Sequence, residues 1–137
     1  MSETTLDDLI GSFSLFDDWE DKYRYIIDLG RRVPVMDPAL KVDEHFVKGC
    51  TSKVWMIAGW RDGRFHFEAD SDAQIIRGLI YILMLAYEGK DRAGVESVDI
   101  QQIFSDLELD QHLSPNRRNG FFAMVEKIMA LARLGDA

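Results

Sequence analysis

Apolar positions in the first part of the chain recur at helical spacing. Leu6, Leu9, Ile10 and Phe13 form one stripe, which predicts a short amphipathic helix. Asp17 or Asp18 can cap a second helix, and Asp18, Glu20 and Asp21 suit the positive end of its dipole. Trp19, Tyr23, Ile26, Ile27 and Gly30 keep one face of that helix. Pro34 stops it, because proline disfavours helical geometry in the residue before it. The stretch containing Pro34 and Pro38 reads as an extended loop.

The period changes after Asp43. Val54, Trp55, Met56 and Ile57 make a β-rich run, and Arg61-Asp62-Gly63 supplies a turn. Phe65, Phe67 and Ala69 then alternate with His66 and Glu68, the pattern of a hairpin with one buried face. Ser71-Asp72-Ala73-Gln74 has the Ser-x-x-Gln form of a capping box. A buried helix is expected from there to about Tyr87, ended by Gly89. Weaker helical segments cover about Val95 to Leu107. Ser114 followed by Pro115 reads as an N-cap and a proline-tolerant first position. Phe121, Val125, Ile128 and Ala132 line one side of the last helix. The order helix, hairpin, helix predicts an α+β class: a small antiparallel sheet of about three strands, built on a hairpin and packed with helices. No repeat, low-complexity tract or linker divides the sequence, so residues 1–137 are read as a single domain.

Charge then narrows the function. Asp and Glu number 24 against 16 Lys and Arg, a formal net charge of −8 that argues against nucleic-acid binding through a basic face. The longest apolar run, Ile75 to Tyr87, is interrupted by Arg77 and is shorter than the roughly 20 residues a membrane span needs. The opening Met-Ser-Glu-Thr-Thr shows no secretory signal pattern. One cysteine excludes an intrachain disulfide and a multi-cysteine metal site on one chain. His45, His66 and His112 form no short metal motif. A reducing cytoplasm is the expected setting.

Cys50 is the residue that can carry chemistry. Two readings stand side by side. Lone cysteines are commonly small, inert core residues, in which case the chain is a non-catalytic interaction module. Against that, Lys48 and Lys53 flank Cys50 in an acidic protein, and positive charge stabilises a thiolate. Gly49 lets the backbone bend beside the sulfur, and Ser52 is placed to donate a hydrogen bond, although a strand or turn hydroxyl bonded to backbone fits it equally. A Cys–His nucleophile is disfavoured: at strand spacing His45 and Cys50 point to opposite faces. A sulfur carrier needs less apparatus, since one thiolate suffices to attack a persulfide.

Gly49-Cys50-Thr51-Ser52-Lys53-Val54-Trp55 resembles the Gly-Cys-x-Ser-x-Val-Trp motif of the SufE family, the sulfur acceptors of cysteine desulfurases. Three further blocks resemble the family in order and spacing. They are Trp19 to Tyr25 with Leu29-Gly30, Ser71-Asp72-Ala73 with Arg77-Gly78-Leu79, and His112 to Arg117 with Asn119-Gly120. Thr51 and Arg118 depart mildly from the residues usual at those places.

The resemblance implies a SufE/IscU-like fold. It also implies that Cys50 is the catalytic persulfide carrier, taking sulfur from a SufS-type or CsdA-type desulfurase and passing it toward iron–sulfur assembly through a SufBCD scaffold complex. Gly49, Ser52, Asp72 and Arg117 carry over as supporting residues. Arg117 is the cation that would stabilise the thiolate or persulfide, and Asp72 matches an aspartate near the cysteine loop. Trp55 reads better as core than as a contact. No cofactor is expected on this chain, because pyridoxal phosphate belongs to the desulfurase. A monomer or a homodimer fits equally, and no standalone turnover is expected.

Overall fold

The computed structural model describes residues 5–49 and 52–135. Its helices are α1 (Leu6–Ser14), α2 (Trp19–Gly30), α3 (Gln74–Tyr87), α4 (Arg92–Glu96), α5 (Ile100–Asp106), α6 (Leu109–His112) and α7 (Pro115–Gly135). Two strands, β1 (Val54–Arg61) and β2 (Arg64–Ser71), pair antiparallel between α2 and α3 in the chain. This is the expected α+β class. None of the described helices is long and apolar enough to cross a membrane.

Asp62 and Gly63 both have positive φ, 53° and 74°, the conformation of a two-residue hairpin turn whose twist matches its strands. That turn sets the register, pairing Arg61 with Arg64 at one end and Val54 with Ser71 at the other. Val54, Met56, Phe65, Phe67 and Ala69 are consequently buried together on the inner face. Trp55, Ile57, His66, Glu68 and Asp70 lie on the outward one.

A third strand does not form among the described residues. It is reduced to one antiparallel bridge between Phe46 and Trp55, with the Val47 N–H donating to the Val54 carbonyl at 2.9 Å. The preceding segment holds two 3-10 turns, Pro38–Leu40 and Asp43–His45, where an extended loop was expected. The Asp37 carboxylate caps the first by accepting the Ala39 N–H at 3.0 Å.

The helix starts show where local chemistry rules. Thr5 and Asp8 form a reciprocal capping box on α1, and Asp18 caps α2 through the Asp21 N–H at 2.9 Å. The expected box at Ser71 is absent. Ser71 is still a β2 residue paired with Val54, its hydroxyl accepts the Ala73 N–H at 3.1 Å, and α3 starts uncapped at Gln74.

The core is built around α3, which is buried on most sides: Ile75, Ile76, Leu79, Ile80, Ile82, Leu83 and Ala86 all face protein. Each large apolar side chain among them contributes roughly 1.5–3 kcal/mol of burial. α2 crosses α3 where two glycines meet. A Cβ on Gly78 would stand 2.1 Å from the Ile26 carbonyl oxygen, and one on Gly30 would stand 2.9 Å from the Gly78 nitrogen. α7 closes the core with Phe121, Met124 and Ile128, and Phe121 and Phe122 enclose Phe104 of α5 at ring distances of 5.1 and 4.9 Å.

One ion pair ties the small helices to this frame. Lys22 of α2 is only 8% exposed, lies over the Phe13 ring at 5.5 Å, and hydrogen-bonds Glu108 between α5 and α6. Glu108 has φ 58°, a left-handed geometry uncommon outside glycine, so the pair holds a strained residue in place. The Lys22 hydrogen bond, then its charge, holds the Glu108 carboxyl below its ordinary 4.5; desolvation opposes this and His112 adds a smaller downward pull.

The glycine crossing and the ion pair can each be tested. Gly78→Ala should destabilise the protein by about 3 kcal/mol in denaturant unfolding through overpacking. Gly59→Ala, whose added Cβ meets nothing within 4 Å, should cost little; equal losses would contradict the close-crossing account. A depressed folded pKa contributes stability above the ordinary carboxylate value and loses it as pH falls through the depressed one. Glu108→Gln should therefore lower Tm at neutral pH, with the gap to wild type narrowing below 4.5. A gap of constant size down into the acid range would mean that the loss does not come from the ionised carboxylate.

Candidate functional site

The loop carrying Cys50 leaves the sheet at one bonded pair and returns at another. The Val47–Val54 hydrogen bond closes its base. Asp72 then holds its returning end twice over. The Asp72 carboxylate accepts the Lys53 N–H at 3.1 Å, and the Asp72 N–H donates to the Lys53 carbonyl at 3.3 Å. Cys50 and Thr51 lie outside the described residues, so the site is defined by what surrounds them.

Gly49 has φ 91°, a conformation that side-chain-bearing residues rarely adopt. A Cβ there would be 3.4 Å from the Ala123 Cβ, so α7 backs the loop closely at this point. Lys48 and Lys53 are exposed and Ser52 is half-buried. The two lysines put two cations close to Cys50 in the sequence, and Val47 and Val54 at the base of the loop are buried.

Three of the supporting residues expected from the sequence, Gly49, Ser52 and Asp72, meet at this loop. Arg117 stands elsewhere on the helix that backs it. It sits in the first turn of α7, roughly 9 Å along the axis from Ala123, with its guanidinium 5.4 Å from the Tyr23 ring centroid on α2. Its backbone N–H reaches the Ser114 hydroxyl at 3.4 Å, as an N-cap on Ser114 predicts. His45 sits in a 3-10 turn rather than a strand, and its Nδ1 is 2.7 Å from the Leu40 carbonyl oxygen.

The structure adds a cluster that the sequence did not reveal. Asp70 faces outward by strand alternation, yet it is only 6% exposed. Lys41 Nζ lies 2.8 Å from its Oδ2, Arg77 Nε lies 3.1 Å from its Oδ1 without hydrogen-bond alignment, and the Ser71 N–H donates to it at 2.8 Å. Trp55 is its cross-strand neighbour, stacked on Phe46 at 5.7 Å with Lys41 Nζ 5.6 Å from its ring centroid. The Trp55 indole N–H is buried with no hydrogen-bond partner among the described residues, a cost of about 1–3 kcal/mol that packing must offset. A charged residue in an alternating strand reads as solvent-facing, which is why periodicity could not find Asp70.

A groove of about 480 Å³ opens on the far half of the sheet's outward face, lined by Ile57, Gly59, Met84 and the hydrogen-bonded His66 and Glu88. It lies toward the hairpin turn, away from the loop. No three His, Cys, Asp or Glu among the described residues converge as a metal-binding set.

Comparison with known proteins places this geometry in a family. The family model SufE, described as an Fe-S metabolism associated domain, matches residues 7–132. The chain belongs to the SufE family. An uncharacterized SufE-like protein of Rhizobium meliloti (strain 1021) is 38% identical over 133 residues, covering 94% of this chain and 95% of that protein. A second uncharacterized SufE-like protein, from Rhizobium etli, is 38% identical over 137 residues, covering 97% and 93%. The solution structure of a hypothetical protein from Thermus thermophilus superposes with a TM-score of 0.75 at 19% identity, over 97% of this chain and 96% of that one. That likeness concerns the fold alone. The family ties the chain to iron–sulfur metabolism.

Proposed function

We propose that this protein accepts sulfur on Cys50 from a cysteine desulfurase and delivers it for iron–sulfur cluster assembly. The observation that carries the reading is the single thiol of a SufE-family chain, set in a loop closed at its base by Val47 and Val54 and flanked by two exposed lysines. The Cys50 thiolate attacks the outer sulfur of the desulfurase's cysteine persulfide. A new S–S bond forms on Cys50, the partner's S–S bond breaks, and the partner's cysteine leaves as a thiolate. The terminal sulfur keeps its proton and no external oxidant or reductant is consumed. The cations Lys48 and Lys53 raise the attacking thiolate fraction at neutral pH and afterwards favour loss of the new persulfide's proton to solvent.

Clearing the partner's persulfide frees it for another turnover, so the protein acts as an activator, with pyridoxal phosphate confined to the partner. A SufS-type or CsdA-type desulfurase is the donor, and a SufBCD-type scaffold complex is the acceptor. A thiol that must stay free suits a reducing cytoplasm. Asp72 serves by fixing the loop's returning end, and Gly49 by allowing it to turn against α7. Arg117, engaged with Tyr23, lies on the helix that backs the loop and is available to the persulfide when the partner binds.

Cys50→Ser tests this directly. Stimulation of desulfurase turnover on L-cysteine should fall to the unstimulated level, while circular dichroism and Tm remain those of wild type. Full stimulation by the folded variant would overturn the reading in favour of an interaction module with an inert cysteine.

A further inference from the structure

We infer that the groove over Gly59 binds a short peptide with free termini, Arg61 taking its carboxylate and Glu68 its ammonium. The site is independent of Cys50, since it opens toward the hairpin turn. The hairpin, α3 and the segment after α2 all line it, through Ile57, Met84 and Pro34. A space of about 480 Å³ bounded by apolar side chains is of the size in which small ligands bind. Gly59 keeps it open. It sits inside β1, where glycine weakens a strand and often marks the close approach of a ligand or another backbone. Neither packing nor backbone geometry calls for it: an added Cβ meets nothing within 4 Å, and its φ is not positive. A side chain there would project from the outward face opposite His66, its cross-strand neighbour.

Two unmatched charges lie at opposite ends of this groove. Arg61 closes β1 beside the turn, and Glu68 stands on β2 opposite Ile57, four residues back along the sheet. At the rise of an extended strand the two positions are roughly 13 Å apart along the sheet. Both residues are exposed, and neither side chain has a hydrogen bond or ion pair among the described residues. His66 stands between them. Its Nδ1 is hydrogen-bonded to one oxygen of Glu88, whose other oxygen accepts the Phe67 N–H at 2.9 Å. That carboxylate fixes the ring and draws its N–H to Nδ1, which leaves Nε2 to accept a hydrogen bond in the neutral ring.

The complementary ligand is anionic at one end, cationic at the other, and carries an apolar body with an N–H donor between. A peptide of two or three apolar residues meets every condition. Fully extended it spans at most about 7–11 Å, and the Arg61 and Glu68 side chains close the remaining distance. Its carboxylate suits the two parallel donors of the Arg61 fork, its ammonium meets Glu68, and an internal N–H reaches His66 Nε2. A simple amine or a simple carboxylic acid would leave one of the two charges unmatched.

The experiment titrates the full-length protein with Ala-Leu-Ala and follows its amide and imidazole resonances by NMR. N-acetylated, C-amidated and doubly blocked forms are run beside the free peptide. The site predicts saturable shifts centred on Ile57, Gly59 and His66, and a loss of about fivefold in affinity for each block, the size of one exposed charge contact. In Glu68→Gln, acetylation should cost nothing further while amidation still does; in Arg61→Gln the reverse should hold. Gly59→Val fills the floor of the groove and should abolish the shifts while the rest of the spectrum stays that of wild type. Shifts that fail to saturate in the millimolar range, or that gather on another face, would overturn the site. Equal binding of the doubly blocked peptide would overturn the role of the two charges and leave an apolar seat for any extended chain. Should Gly59→Val fail to fold, the two charge variants decide, because both side chains are exposed and without partners among the described residues.

Discussion

The left-handed pair Asp62 and Gly63 sets the register of the hairpin, and the contacts at the far end of the sheet depend on that register. A slip of one residue would turn one strand over against the other, sending either Val54 and Met56 or Phe65 and Phe67 to solvent and bringing Trp55 or Asp70 inward. The loss of burial of two large apolar side chains penalises such a slip heavily. With the register secured, Asp72 falls opposite Lys53 and Asp70 opposite Trp55, which places two carboxylates at the root of the Cys50 loop. The turn and the loop sit at opposite ends of the hairpin.

Much of this was legible in the chain. Helical stripes marked α1, α2, α3 and α7, alternation marked the hairpin, and Ser114-Pro115 marked the start of the last helix. The legible parts share a cause: each is a local periodicity or a local cap. The errors lie where one residue serves two elements. Ser71 and Asp72 had the form of a helix cap, but Ser71 stays in the β2 ladder and Asp72 turns back to the loop. The third strand failed because the segment before Phe46 spends its backbone on two 3-10 turns. Glu108 in a left-handed conformation, held by Lys22, has no local signature at all.

At the candidate site, the motif around Cys50 was legible and the support beneath it was not. Asp70, Lys41 and Arg77 come from three segments, and only the folded chain brings them together. Arg117, which the resemblance offers as a support for the cysteine, lies with its guanidinium against Tyr23. Its place on α7 follows from Ser114 and Pro115, whereas the direction of its side chain is decided by an aromatic ring on α2. A shared fold does not by itself settle function. The proposed function stands instead on one thiol and its flanking cations, in a chain whose family belongs to iron–sulfur metabolism.

The most direct measurement is the intact mass of the protein after incubation with an active SufS-type desulfurase and L-cysteine, with free thiols alkylated and Cys50→Ser run beside it. The account predicts a gain of one sulfur atom on the wild type, removed by reductant, mapped to the peptide containing Cys50 and absent from the variant. No gain with active desulfurases of both the SufS and CsdA types would contradict it and leave Cys50 an inert thiol.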